Sequence, residues 1–115
     1  MKFSIIIPNY NGAQFLHDCL NSLDLSNEII IIDNGSKDDS LLKIKNYKLK
    51  IIQNSENLGF ATAVNQGIKA AKNDYVVICN NDLVVDKNYF KLLADAIKTY
   101  PDYATYVGTI LYKDG

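Results

Sequence analysis

The sequence has almost no net charge to offer a polyanion. Over 115 residues, 12 Lys and Arg stand against 13 Asp and Glu, a formal charge of −1. This balance excludes the broad positive footprint with which proteins hold duplex nucleic acid, so an anionic ligand has to be held locally. Long apolar runs are also missing. The first, from Phe3 to Ile7, is cut by Pro8 and Asn9 well before signal-peptide or membrane-spanning length, and the expectation is a soluble, cytoplasmic domain. Cysteine is limited to Cys19 and Cys79, distant in sequence and outside any CxxC spacing. Reduced, buried thiols are expected, and neither a disulfide framework nor a zinc site. The one histidine, His17, lies among polar positions, which favours a solvated or capping role over metal binding. No repeat, low-complexity stretch or linker interrupts the chain. Neither GxGxxG nor GxxxxGK[ST] occurs, so a dinucleotide or P-loop reading lacks a motif.

What is present alternates. With 48% hydrophobic residues the chain has the makings of one domain spanning 1–115. Apolar, β-branched runs at Phe3 to Ile7, Glu28 to Ile32 and Tyr75 to Cys79, and a weaker one at Leu49 to Gln53, read as strands. The first, second and last lack polar alternation, as parallel strands buried on both faces do. Between them, Ala13 to Leu23 places Phe15, Leu16, Cys19, Leu20 and Leu23 at helical spacing. Residues 38–46 make a weaker helix. Phe60 to Lys72 make a clearer one that packs through Ala63, Val64, Gly67, Ile68 and Ala71, and Asp86 to Thr99 make another with Asp86 as N-cap. The order β-α-β-α-β-α-β-α predicts an α/β fold, an open and mostly parallel sheet with helices on both faces. Tyr103 to Lys113 reads as a further strand before an Asp114-Gly115 turn. Stopping there leads us to expect a truncated domain whose C-terminal part is missing.

Ligands of open parallel sheets sit at the carboxyl ends of the strands, and these ends carry the polar residues here. Strand one ends in Pro8-Asn9-Tyr10-Asn11-Gly12, an aromatic and two amides facing the crevice. Strand two ends in Asp33-Asn34-Gly35-Ser36-Lys37-Asp38, with a carboxylate suited to a base edge or ribose hydroxyl; as an ordinary turn, the same stretch would cap a helix with Ser36 or Asp38. After strand three, Asn57-Leu58-Gly59-Phe60-Ala61 opens a helix, and Gly59 can expose N–H groups to an anion. Strand four ends in Asn80-Asn81-Asp82. A single Asp there suits Mg²⁺ or Mn²⁺, which keep most positions for water and phosphate. Alone, each stretch is a plausible turn; the recurrence at four strand ends points to a site.

These stretches, in this order and over essentially the whole chain, resemble the family 2 glycosyltransferases with the Rossmann-like GT-A fold. The resemblance implies that Pro8, Asn9 and Tyr10 line a nucleotide pocket, and that Asp33 and Asn34 contact the base or ribose. It implies that Gly59, Asn80 and Asn81 shape the nucleotide-sugar site, while Asp82 ligates a divalent metal on the donor diphosphate. The metal then stabilises charge on the leaving group. Two departures stand out: Asn80-Asn81-Asp82 replaces the family's Asp-x-Asp, and Asn34 replaces a frequent second Asp. The Asn-Asn-Asp form is similar to rhamnosyltransferase-like members acting on cell-surface polysaccharides. Inverting members draw a catalytic Asp or Glu from their C-terminal half; Asp86, Asp95, Asp102 and Asp114 match no such motif. The chain alone is therefore expected to bind a nucleoside-diphosphate sugar but to be inactive. The acceptor implied is a glycan or lipid-linked hydroxyl.

Lys43 to Lys50 is basic but interleaved with apolar residues, which fits a solvated helix end or a weak acceptor or membrane-surface contact, giving peripheral membrane association of the full protein. Tyr100, Tyr103, Tyr106 and Tyr112 form a candidate self-association patch. A receiver-like or flavodoxin-like domain shares the alternation but needs paired acids where Pro8-Asn9-Tyr10 stands. A non-catalytic nucleotide-sugar-binding or interaction module remains the alternative.

Overall fold

The computed structural model describes residues 1–112. Its elements run β1 (Phe3–Asn9), α1 (Leu16–Ser22), β2 (Glu28–Asp33), α2 (Ser40–Lys43), β3 (Lys50–Gln53), α3 (Phe60–Ala70), β4 (Tyr75–Ile78) and α4 (Tyr89–Thr99). The alternation read from the sequence is the observed one. Among the described residues the strands form one sheet in the order β3-β2-β1-β4, every pair parallel.

Side-chain alternation along β1 sets the two layers. Phe3, Ile5 and Ile7 join Leu16, Cys19 and Leu20 of α1, Ile44 beyond α2, and Phe90 and Ile97 of α4. Ile6 points the other way and packs with Ile30, Ile32 and Ala63 of α3. Helices thus cover both faces. β1 and β2 are central, and their isoleucines from Ile5 to Ile7 and Ile30 to Ile32 are fully buried; at about 1.5–3 kcal/mol each, they anchor the fold. Gly67 lets α3 approach, since a Cβ there would lie 2.4 Å from Cγ2 of Ile6.

Several expectations change. Tyr75 to Cys79 does not form a strand buried on both faces: β4 is an edge strand, and Tyr75 and Ile78 are exposed at 42% and 50%. Its continuous apolar run resembles that of β1, but strand order, which is not a local property, decides which runs have neighbours on both sides. Tyr103 to Lys113 forms no strand over its described part; Val107, Ile110 and Leu111 stand exposed, and Lys113 with the Asp114-Gly115 turn lies outside the described residues. Phe15 and Ile68, expected to pack, are exposed because α1 starts only at Leu16 and because α3 turns Ile68 outward. Asp86 does not cap α4: Asn88 takes that position, and Asp86 instead closes the preceding turn by accepting from the Asn88 N–H at 2.8 Å. Ser36 does not cap α2, and Asp39 precedes it without a side-chain hydrogen bond; Asp38 accepts from the N–H of its first residue, Ser40, at 3.1 Å.

His17 is solvated, as expected. It meets Asn21 at 3.0 Å and Tyr47 Oη at 3.1 Å.

Candidate nucleotide-sugar site

The sheet order reverses at β1. Its neighbours β2 and β4 are reached by chains leaving in opposite directions, which opens a crevice above the carboxyl end of β1. A cleft of about 360 Å³ occupies that place, lined by Pro8, Asn9, Tyr10, Asn34, Asn57, Phe60, Asn80, Asn81 and Asp82. Three strand ends and the start of α3 meet there. Its size falls within the usual range of small-ligand sites.

Asn9 organises the floor. It is 1% exposed, and its Nδ2 hydrogens are shared among Asp33 Oδ1 at 3.0 Å, Ser40 Oγ at 3.0 Å and Ser36 Oγ at 3.3 Å. Its Oδ1 accepts from Asn81 Nδ2 at 2.9 Å. One amide therefore ties the ends of β1, β2 and β4 together. The hydroxyls pass the pattern on, Ser36 Oγ donating to Asp33 Oδ1 at 2.6 Å and Ser40 Oγ to Asp38 Oδ1 at 2.6 Å. Burial works to raise the Asp38 carboxyl, but bonds from the Ser40 hydroxyl and from the Ala13 and Ser40 N–H groups outweigh it and hold the group below its ordinary value of 3.8. Asn11, in the left-handed region at φ 51°, locks the loop after β1 to the loop after β2. Its N–H donates to Ser36 Oγ at 2.9 Å, and its Oδ1 accepts from the Lys37 N–H at 2.8 Å.

A second amide chain supports the far wall. Asn34 Nδ2 donates to the Gly59 carbonyl at 3.2 Å, and Asn34 Oδ1 accepts from Asn54 Nδ2 at 2.9 Å. Asn54 and Gln66 exchange two hydrogen bonds of 2.8 Å. The end of β2 is thereby fixed to both ends of the β3–α3 connection.

Of the residues predicted for the site, Pro8, Asn9, Tyr10, Asn34, Asn80, Asn81 and Asp82 line one cleft. Asp33 and Gly59 stand behind it. Asp33 is 3% exposed, with Oδ1 accepting from Asn9 and Ser36 Oγ and Oδ2 from the Ser36 N–H at 3.0 Å. Gly59, at φ 87°, supplies its carbonyl to Asn34 and turns the chain into α3. Asn57 and Phe60 line the cleft without having been singled out. Phe60 had a readable signal: it opens a helix whose packing positions are Ala63, Val64 and Gly67, leaving an aromatic off the buried face, 57% exposed.

Asp82 is exposed at the cleft mouth, and no hydrogen bond reaches its carboxylate among the described residues. Nor, among the described residues, does any group of three or more His, Cys, Asp or Glu gather to hold a metal unaided. The donor set is a single free carboxylate with amides beside it. It fits a hard cation whose other positions are filled by phosphate and water, and does not fit an all-protein metal cage.

Beneath this loop the two cysteines, distant in sequence, come together. Their sulfurs are 4.0 Å apart, both thiols are free and buried, and both approach the Asn80 carbonyl, at 3.6 and 3.4 Å. Hydrogen bonding to Cys79 and burial push the Cys19 thiol far above its ordinary value of 9.0.

The sequence profile described as Glycosyl transferase family 2 matches residues 4–115. The chain belongs to this family. Among curated family relatives, a dolichol-phosphate mannosyltransferase of Pyrococcus furiosus is 32% identical over 124 aligned positions, covering 100% of this chain and 35% of that protein. A poly-beta-1,6-N-acetyl-D-glucosamine synthase of Staphylococcus aureus is 38% identical over 105 positions, covering 76% of this chain and 26% of the synthase. The crystal structure of S. aureus TarS 1-349 superposes with a TM-score of 0.78 at 28% identity, over 88% of this chain and 33% of that one. Glucosyl-3-phosphoglycerate synthase of Mycobacterium tuberculosis, crystallised with Mn²⁺, uridine diphosphate and glucosyl-3-phosphoglycerate, shares the fold at a TM-score of 0.70 and 18% identity, over 84% of this chain and 39% of that one. The fold is GT-A. This family 2 chain spans between 26% and 39% of the length of these four proteins.

Proposed function

We propose that this glycosyltransferase chain binds a nucleoside-diphosphate sugar in the cleft above β1, with a divalent cation held against Asp82, as the donor-binding part of an enzyme that builds a cell-surface polysaccharide. The observation that carries the reading is the free Asp82 carboxylate at the mouth of a cleft otherwise lined by amides, two aromatics and Pro8. Tyr10 and Phe60, both largely exposed on its rim, offer faces for a base or sugar. Pro8, Asn9, Asn34 and Asn80 face the nucleoside, with Asp33 behind them. When bound, the Mg²⁺ or Mn²⁺ supplies Lewis-acid stabilisation of the departing diphosphate. The chain is similar to relatives named dolichol-phosphate mannosyltransferase and poly-beta-1,6-N-acetyl-D-glucosamine synthase, which supports a glycan or lipid-linked acceptor.

Inverting transfer needs a carboxylate to take the acceptor's proton. Asp82, engaged by the cation, is the sole carboxylate lining the cleft among the described residues, so the chain alone is expected to bind donor without transferring sugar.

Calorimetric titration of the folded chain with uridine, thymidine, guanosine and cytidine diphosphates tests this. Heat that requires Mn²⁺ and is lost in Asp82→Asn is expected with at least one of them; none with any would overturn the assignment.

A further inference from the structure

We propose that Asn81 is a positioning residue: its hydrogen bond to the buried Asn9, in space that only Gly12 leaves free, latches the Asn80-Asn81-Asp82 turn in the orientation that presents Asp82 to a cation. The inference rests on the donor-site reading only for the identity of the ligand that Asp82 meets.

The geometry is specific to these three residues. No side-chain hydrogen bond holds Asp82 itself among the described residues, so its direction is set by the backbone on which it rides. That turn is closed weakly, by the Leu83 N–H on the Asn80 carbonyl at 3.3 Å. Its firm tie to the body is Asn81 Nδ2 on Asn9 Oδ1 at 2.9 Å. Asn9 in turn cannot swing, because its Nδ2 is spent on Asp33, Ser36 and Ser40 inside the protein. The orientation of the amide is thereby fixed: nitrogen toward Asp33, oxygen toward Asn81. Gly12 completes the arrangement. A Cβ at position 12 would lie 2.2 Å from Asn9 Oδ1 and 2.3 Å from Asn81 Nδ2, on top of the hydrogen bond. Glycine is needed here for volume, since its φ lies outside the left-handed region.

Two variants break the latch by different routes. Asn81→Ala removes the donor, and Gly12→Ala wedges the pair apart while leaving both amides in place. In ligand-free protein, amide hydrogen exchange at residues 80–83 should rise in each variant, with protection in β1 and β2 retained. In nucleotide titrations, the ratio of affinity with Mn²⁺ to affinity without it should fall about threefold to tenfold, the loss of one ordinary hydrogen bond. The double variant should fall no further than either single one, because both remove the same contact. Unchanged exchange at residues 80–83 in Asn81→Ala overturns the latch, whatever nucleotide does and whether or not Gly12→Ala folds. Faster exchange there in the variants, together with a wild type that binds no nucleotide, would keep the latch and sink the donor site. Additive losses in the double variant would also overturn it.

Discussion

Glycines at three positions of this chain do different physical work, and substitution separates them. At Gly67 the constraint is volume: alanine would place a methyl 2.4 Å from Ile6 Cγ2, in a core where β1 cannot retreat. Gly67→Ala should cost about 1–3 kcal/mol, the usual toll of overpacking, measured as a lowered urea midpoint. At Gly59 a methyl meets nothing, but φ 87° and ψ 167° lie in a region essentially reserved for glycine. Gly59→Ala should therefore disturb the first turn of α3, and its signature is altered chemical shifts around Asn34 and Phe60 rather than in the core. At Gly35 both constraints coincide, with φ 74° and the Glu56 backbone 2.9 Å from a would-be Cβ.

At the level of elements, the amino ends of β1 and β2 are bound by a charged tie opposite the cleft. Ser4 Oγ donates to Glu28 Oε1 at 2.6 Å, and the Lys72 N–H donates to the same oxygen at 2.9 Å. Burial acts to raise the Glu28 carboxyl, but these bonds and the charges of Lys72 and Lys50 prevail and hold it below its ordinary 4.5. With Asp38 also held below 3.8, these two carboxyls bind fewer protons in the folded state than in the unfolded chain as pH falls through the carboxylate range. The resulting stability is fully present above about pH 5 and is lost as pH falls through the carboxylate range. Urea midpoints from pH 7 to 3 should decline below about pH 5, and Glu28→Gln should flatten part of that decline. Local patterning made these elements readable. Unbroken isoleucine in β1 and β2 announced double burial, and helical spacing located α1, α3 and α4 to within a few residues. The exposure of β4 was not readable, because Tyr75 to Ile78 has the same local pattern whether or not another strand lies beside it. Nor could sequence place Cys19 against Cys79, a contact made by packing α1 under the end of β4. In the cleft, residue types at strand ends named seven of the nine lining side chains. The division of labour among them, with Asp33 enclosed and Asp82 free, depended on hydrogen bonds that spacing does not encode.

For the molecule as a whole, the apolar surface is unevenly distributed. Tyr103, Val107, Ile110, Leu111 and Tyr112 are each at least 63% exposed, and Tyr100 and Tyr103 stack at 5.5 Å beside them. Such a concentration favours association. Size-exclusion profiles over a concentration series should shift toward larger species, and Val107→Lys with Ile110→Lys should abolish the shift; a monomer at every concentration would refute it. The amide bridge from Asn34 to the Gly59 carbonyl, spanning 25 positions of sequence, has a chemical vulnerability of its own. Hydrolysis of that one side-chain amide to an acid would leave a negative oxygen facing a carbonyl in a nearly dry pocket. Ageing of a single asparagine would then push the β2 loop away from the start of α3 and spring the wall of the cleft.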